Sequence, residues 1–312
     1  MSSSTEPEQL VLGTRGSLLA RMQSQWVIDR LTEVHPGLIV EMRIIKTSGD
    51  RLAGRPLPEI GGKGLFTQEL EEALHDGAID LAVHSAKDLP TELADCLEVA
   101  TFPVREDPCD AWVSADGTPF SDIPQNSIVG TSSLRRQAQL LMRRPDLTFV
   151  SLRGNVDTRI NKVHRGDCAG TLLAMAGLKR AGLEQHVTEV FDPTDFIPAA
   201  GQGALAIETR QDDARVCELL ATIHDDDTAR AVRCERSILA ELDAGCHAPV
   251  GVYARMEDDN LCCRAIVSDP TGQQNASAAA HATASQPDEL VGRIVEQLRR
   301  GGADDIISKC RA

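Results

Sequence analysis

The chain has 312 residues, which favours two or three compact domains over one, and 42% of the residues are hydrophobic, enough for packed cores. Aromatic residues make up only 3%, so stacking platforms for single-stranded nucleic acid are few. The formal net charge of -15 disfavours general binding to nucleic acid or to an anionic membrane. An anionic small molecule therefore needs a site whose local charge opposes the global one.

Strand-like and helix-like segments alternate through the first two thirds of the chain, as is typical of α/β domains. The first run is predicted to contain strands at 10–12, 38–46 and 79–84, a helix capped by Ser17, and a second helix that follows Gly64. The second run starts near Asp110. It is predicted to contain strands at 111–114, 128–129, 148–152 and 171–175, and helices from Ser132 or Ser133 to Arg143, at 156–163 and after Met175.

The last third of the chain has a different pattern. A helix is predicted at 228–242, followed by strands at 250–255 and 261–268, a turn at 269–272, and a final amphipathic helix at 287–298. This order of elements predicts a small α+β domain.

Nine cysteines are present, none in a C-x-x-C pair, and Cys262 and Cys263 are adjacent. An odd count in a chain of this length disfavours both a disulfide framework and a zinc cluster, so the sequence predicts reduced thiols and no metal site. Residues 1–9 are predicted to be disordered and lack the pattern of a signal peptide, and no apolar stretch has transmembrane length. These features predict a cytoplasmic protein.

Two segments place polar residues or glycines where ligands often bind. Ser85, Lys87 and Asp88 follow an apolar strand and precede Pro90, and ligands bind at the carboxyl ends of strands in open α/β sheets. The glycines around Lys63 would let a backbone approach an anion. Taken alone, a solvated turn and a plain glycine-rich turn explain these segments at least as well.

A basic tract spans residues 131–165 and holds eight lysines and arginines against two aspartates. Clustered arginine suits bidentate recognition of carboxylates or phosphates, so the tract predicts an anion site. Arg143 and Arg144 lie late in the predicted helix and are expected to be solvated. Cys246 follows a helix in a loop with Gly245 and Pro249, where a thiol could be nucleophilic, although an inert cysteine is the commoner case.

Seven motifs of this chain occur in one order. They are G-G-K-G-L-F, V-H-S-x-K-D-L-P, G-T-S-S-L-R-R, L-R-G-N-V-x-T-R, A-G-L-K-R, P-A-x-G-Q-G-A and G-C-x-x-P. The ordered set resembles the hydroxymethylbilane synthase (porphobilinogen deaminase) family from about residue 10 to residue 251.

The resemblance implies two α/β domains like the lobes of type II periplasmic binding proteins, with the active site between them, and a small C-terminal α+β domain. Domain 1 would comprise 10–103 and 200–221, domain 2 would comprise 104–199, and domain 3 would comprise 222–312. The family usually works as a monomer, so a monomer is expected here.

The resemblance also implies the reaction. Four porphobilinogen molecules are joined head to tail with loss of ammonia, on a dipyrromethane cofactor bound through a thioether to Cys246, and water releases hydroxymethylbilane. Asp88 would be the catalytic carboxylate, set against the pyrrole nitrogens. Cofactor contacts would come from Ser85, Lys87, Asp88, Thr131, Ser133, Arg135, Arg136 and Arg153. Substrate contacts would come from Arg15, Ser17, Lys63, Arg153, Arg159 and Arg180.

Two departures from the family pattern affect these expectations. Glu59 stands where a basic residue is often found, which weakens the prediction of a positive loop there. Ala169 stands in a segment where the family typically has an aspartate, so a contact from that aspartate is not expected. Two rival functions remain open from the residues alone: a Schiff-base enzyme that uses Lys87, and a non-catalytic two-lobed anion-binding protein.

Overall fold

The computed structural model describes residues 8–51, 67–244 and 248–311. Most of the predicted disordered N-terminus and the predicted start of the helix after Gly64 lie outside the described residues. Gln9 belongs to the first strand, so the prediction of disorder was wrong for this residue.

The described elements alternate between strands and helices up to the last third of the chain. The strands are β1 Gln9–Arg15, β2 Ile39–Ile45, β3 Leu81–Ser85, β4 Leu97–Thr101, β5 Asp110–Ser114, β6 Ile128–Gly130, β7 Thr148–Val150, β8 Gly170–Ala174, β9 Glu189–Val190, β10 Leu205–Arg210, β11 Val250–Glu257, β12 Asn260–Ser268 and β13 Asn275–Thr283. The helices are α1 Leu18–Val34, α2 Ser48–Arg51, α3 Gln68–His75, α4 Leu134–Arg143, α5 Val156–His164, α6 Met175–Arg180, α7 Ala214–Ala221, α8 Asp226–Leu242, α9 Pro287–Arg300 and α10 Ala303–Arg311.

Two five-stranded sheets share one pattern of strand directions. The first has the order β2-β1-β3-β10-β4, in which β1 is parallel to β2 and β3 while β10 is antiparallel to β3 and β4. The second has the order β7-β6-β8-β5-β9, in which β6 is parallel to β7 and β8 while β5 is antiparallel to β8 and β9. In each sheet one antiparallel strand occupies the fourth place. The predicted fold class, two type II α/β domains and a C-terminal α+β domain, is confirmed.

Helices bury their apolar faces against the first sheet. Val27 and Leu31 of α1 are four residues apart, so they lie on one face of the helix, and both are fully buried with Leu10 and Leu12 of β1. Ser17 caps α1 as predicted, because its Oγ accepts a hydrogen bond from the amide of Ala20 at 3.2 Å.

The third sheet is antiparallel, with the order β11-β12-β13, and α8, α9 and α10 pack with it around an aliphatic core. The predicted turn joins β12 to β13: the amide of Asp269 donates to the carbonyl of Gln274 at 2.9 Å. Strand β13 was not predicted, because it is rich in alanine, which has low strand propensity. The helix at 287–300 is not the final one, since α10 follows it.

The chain divides into two compact units. One comprises residues 1–104 and 204–229, and the other comprises residues 105–203 and 230–312. The first corresponds closely to predicted domain 1, whereas the second contains predicted domain 2 and predicted domain 3 from residue 230 onward. The three-domain boundaries therefore stay a prediction. Within the described residues, no helix has the length and apolar character needed to cross a membrane.

Candidate active site

Five of the predicted site residues lie at, or just after, the carboxyl ends of two strands of the first sheet. Arg15 ends β1 and Ser85 ends β3, and these strands are parallel neighbours, so their carboxyl ends lie side by side. Ser17 follows Arg15 at the start of α1. Lys87 and Asp88 belong to a single 3-10 turn at 86–88, and both are exposed.

The end of β3 is held by residues that the sequence interpretation did not single out. Gln23 of α1 is buried and donates through Nε2 to the Ser85 hydroxyl at 3.0 Å. His84 Nε2 is hydrogen-bonded to Glu208 Oε2 of β10 at 3.1 Å. These contacts fix the strand immediately before the Lys87–Asp88 turn.

In the other unit, four predicted site residues lie with two further serines, which were not predicted as site residues, in a hydroxyl–arginine cluster. Its members are Thr131, Ser132, Ser133, Ser151, Arg153 and Arg159. The Ser132 and Ser151 hydroxyls are 2.9 Å apart, and Arg153 Nε donates to Ser151 Oγ at 3.4 Å. Arg159 Nε donates to the carbonyl of Gly154 at 2.8 Å, which places it beside the same loop.

The beginning of α4 organises the hydroxyls of this cluster. The amide of Ser133 donates to Thr131 Oγ1 at 3.1 Å, and Ser133 Oγ accepts from the amide of Arg136 at 3.4 Å. Ser133 is thus the N-cap of α4, one of the two serines that the sequence offered for this position. Hydroxyls, a helix N-terminus and arginines in one place form a donor set suited to a ligand that carries several carboxylates.

Arg135 and Arg136 of α4 are buried, and both pair with Asp110, the first residue of β5. Arg136 donates to Asp110 Oδ1 through Nε at 2.9 Å and Nη2 at 2.6 Å, and Arg135 Nη1 lies 2.8 Å from Asp110 Oδ2. Burial alone would raise the pKa of Asp110, but the two guanidinium groups outweigh it and the pKa is lowered. The two arginines thus have a structural role, and their contacts with cofactor carboxylates stay a prediction.

Arg143 is exposed, as expected, whereas Arg144 is only partly exposed, and both side chains also contact the protein. Arg144 donates to both carboxylate oxygens of Asp146 at 2.8 Å and also to backbone carbonyls between Ser121 and Pro124. The Arg143 guanidinium lies over the stacked rings of Phe191 and Phe196, at 5.2 and 5.3 Å from their centroids. The charge count of the basic tract therefore overstated the positive charge available to a ligand, because several arginines serve the protein itself.

Arg180 lies at the end of α6. Its Nη2 donates to the carbonyl of Gly203 at 2.8 Å. Burial lowers the pKa of Arg180 to about 10, which marks a guanidinium largely removed from water, and Glu106 partly opposes that shift. This hydrogen bond does not involve the hydroxyl–arginine cluster, and the role of Arg180 toward substrate stays a prediction.

Lys63, Glu59 and Cys246 lie outside the described residues, so the expectations for them stay predictions. All eight cysteines that the structure describes are free thiols. Across residues 8–51, 67–244 and 248–311, no three histidine, cysteine, aspartate or glutamate side chains are grouped so that they could hold a metal ion.

Sequence reasoning missed Asp110 and Glu208 because each stands in a strand that is almost entirely buried, and the pattern analysis considered only the apolar residues of these strands. A signal was present in both cases: a charged residue inside a buried strand needs a partner. The arginines of α4 and the histidine of β3 are those partners.

Comparison with known proteins identifies the family. The family model for "Porphobilinogen deaminase, dipyromethane cofactor binding domain" matches residues 10–218, and the model for "Porphobilinogen deaminase, C-terminal domain" matches residues 229–300. A porphobilinogen deaminase of Syntrophotalea carbinolica is 46% identical over 99% of this chain and 96% of its own length. One of Oceanobacillus iheyensis is 42% identical over 97% of this chain and 98% of its own length.

Solved structures are less similar to this chain than the sequence relatives are. The regulatory domain of OxyR2 from Vibrio vulnificus matches 72% of this chain and all of its own, with 16% identity and a TM-score of 0.42. The methionine-binding protein MetQ matches 70% of this chain and 90% of its own, with 16% identity and a TM-score of 0.43. Both scores are low, so the assignment rests on the family models and the sequence relatives. The chain belongs to the porphobilinogen deaminase family.

Proposed function

We propose that this protein is a hydroxymethylbilane synthase. It condenses four porphobilinogen molecules head to tail with loss of ammonia and releases the linear tetrapyrrole by hydrolysis. The observation that carries this proposal is the match to porphobilinogen deaminases along nearly the whole chain, at 46% identity over 99% of its length.

The family model names a dipyrromethane cofactor, and the described donor set fits such a group. Dipyrromethane carries acetate and propionate side chains, and the hydroxyl–arginine cluster offers hydroxyls and guanidinium groups on one loop and one helix start. When bound, the cofactor supplies the pyrrole carbon to which the first substrate is joined. We assign its attachment to Cys246 and its contacts to Ser85, Lys87, Asp88, Thr131, Ser133, Arg135, Arg136 and Arg153.

Asp88 is the proposed catalytic residue. Its position on an exposed turn at the carboxyl end of β3 leaves the carboxylate accessible to a ligand. Loss of ammonia from porphobilinogen leaves an electron-poor pyrrole, and a fixed carboxylate stabilises the positive charge that develops. The same carboxylate holds or moves a proton at the pyrrole nitrogen.

The remaining predicted residues bind substrate carboxylates. We assign this role to Arg15, Ser17, Lys63, Arg153, Arg159 and Arg180. Arg153 and Arg159 flank one loop, so they can hold neighbouring carboxylates of a growing chain. We further propose that the protein acts as a monomer in the cytoplasm, which light scattering on the purified protein and cell fractionation test.

The test is turnover of porphobilinogen by the purified protein. Consumption of porphobilinogen with formation of a linear tetrapyrrole is expected, together with a dipyrromethane-sized increment in the intact mass. Unchanged porphobilinogen with an unmodified protein mass would refute the proposal. Borohydride trapping through Lys87 with a carbonyl substrate would instead support the Schiff-base alternative.

A further inference from the structure

A buried histidine–glutamate pair lies next to the Asp88 turn. His84 of β3 and Glu208 of β10 are 4% and 0% exposed, and His84 Nε2 lies 3.1 Å from Glu208 Oε2. The two strands are antiparallel, with His84 opposite Ala206 and Glu208 opposite Ala82. The side chains are therefore diagonal neighbours on one face of the sheet, a spacing that long side chains span.

This buried pair does not favour the stability of the sheet. Glu208 Oε1 is buried and has no hydrogen-bond partner among the described residues. A buried carboxylate with an unsatisfied oxygen is destabilising, and a buried ionisable pair is often no better for stability than apolar residues of similar size. Stability alone therefore does not explain why two ionisable residues stand here.

The residue after His84 is held from the other face of the sheet. Side chains alternate along a strand, so Ser85 points opposite to His84. Gln23 of α1 donates to the Ser85 hydroxyl at 3.0 Å, and the amide of Ala86 donates to the carbonyl of Ala204 at 3.0 Å. The last two residues of β3 are thus fixed on both faces, and the strand pairing extends one residue into the turn.

We propose that Glu208 and Gln23 are positioning residues, which together hold the end of β3 so that the turn presents Asp88 in one place. The inference rests on the proposed function of Asp88. Neither residue touches the reacting atoms; each acts through His84 or Ser85. Fixed position matters because a displacement of about 1 Å in a catalytic group can cost on the order of 100-fold in rate.

The experiment compares four variants with the unaltered, cofactor-loaded protein. Glu208→Leu removes the hydrogen bond to His84, and Gln23→Leu removes the hydrogen bond to Ser85. Glu208→Gln keeps a hydrogen-bonding side chain of the same shape. The double variant His84→Leu with Glu208→Leu replaces the buried pair with apolar side chains and avoids an unpaired histidine.

A matched control lies on the same strand. Thr209 is buried, and its hydroxyl donates to the carbonyl of Asp80 at 2.7 Å, so Thr209→Val also removes a buried hydrogen bond from β10. Its side chain points to the opposite face from Glu208. It should lower stability without altering the Asp88 turn.

Two readouts separate positioning from stability. In Glu208→Leu, Gln23→Leu and the double variant, kcat is expected to fall by up to about 100-fold with KM and cofactor content unchanged. Amide hydrogen exchange at residues 86–88 should accelerate in these variants. Glu208→Gln should restore most of kcat, and Thr209→Val should change neither readout.

Wild-type kcat in the double variant would overturn the proposal. So would equal acceleration of exchange at 86–88 in Thr209→Val, because the effect would then be general loosening of the strand. Failure of the proposed function gives a different result. If the unaltered protein does not turn over porphobilinogen, the exchange rates at 86–88 still decide whether Glu208 and Gln23 hold the turn.

Discussion

Replacing Asp110 with alanine would leave two arginine side chains buried without their shared carboxylate. Arg135 and Arg136 are 7% and 6% exposed, and Gln202 Nε2 also donates to Asp110, at 3.1 Å. Removing one partner of a buried ion pair costs about 3–5 kcal/mol. That loss is a large part of a total stability of about 5–15 kcal/mol. At roughly 2–4 °C per kcal/mol, the melting temperature should fall by roughly 6–20 °C.

The assay is thermal and urea unfolding of Asp110→Ala beside Asp146→Ala. Asp146 pairs with Arg144 at 2.8 Å, but both side chains retain contact with water, 19% for the arginine and 27% for the aspartate. An exposed ion pair contributes at most about 1 kcal/mol, so Asp146→Ala should lower the free energy of unfolding only slightly. If both variants lost the same free energy of unfolding, the inference that Asp110 is the main electrostatic anchor of α4 would be refuted.

The contacts between Asp110 and the two arginines also predict how the stability lost in Asp110→Asn varies with pH. The pKa of Asp110 is lowered in the folded protein, so the charge contributes stability above the pKa of the unfolded chain and loses it as pH falls through the folded value. The stability difference between wild type and Asp110→Asn should be constant at neutral pH and shrink below about pH 4. A difference that instead grew on acidification would contradict the assigned charge state.

Three further predictions concern the proposed site. Asp88→Ala should reduce turnover by on the order of 100- to 1000-fold, and Asp88→Glu should retain more activity than Asp88→Asn, because the negative charge matters more than the shape; equal activity of the two would contradict this. Cys246→Ser should give a folded protein with no pyrrole colour in an Ehrlich-type reaction, because a hydroxyl is a far weaker nucleophile than a thiolate; colour retained there and lost on changing another cysteine would move the attachment site. Arg153→Leu should lower kcat/KM by an amount equivalent to about 1.5–3 kcal/mol. Arg143→Leu should lower it less, since Arg143 lies on aromatic rings, and equal effects would refute the distinction between the two arginines.

Much of the fold could be predicted because its signals are local. The cap at Ser133, the apolar spacing of α1 and the proline–glycine turn after β12 each depend on a few neighbouring residues. Strands β4 and β10 were not predicted, since β10 is an internal strand between β3 and β4 whose place depends on partners far away in sequence. Strand β13 was missed because its composition is rich in alanine and does not favour a strand. It is a strand because alternate residues are buried in the folded protein.

The candidate site was predictable in its residue types but not in its internal partners. The family motifs pointed to Asp88 and to the arginines of α4. No local pattern could reveal that Arg136 is anchored by Asp110, 26 positions earlier, or that His84 meets Glu208, 124 positions later. These contacts arise only when strands from separate parts of the chain become neighbours.

The strand order has a consequence for folding during synthesis. All five strands of the second sheet lie between Asp110 and Val190, so that sheet has every strand it needs before Leu205 leaves the ribosome. The first sheet must wait for β10, since among the described strands β4 pairs with β10 alone and β3 otherwise exposes an edge. The N-terminal sheet is thus completed after the one that follows it, the reverse of the usual order. A chain that terminates before residue 205 would carry an open strand edge and is expected to aggregate.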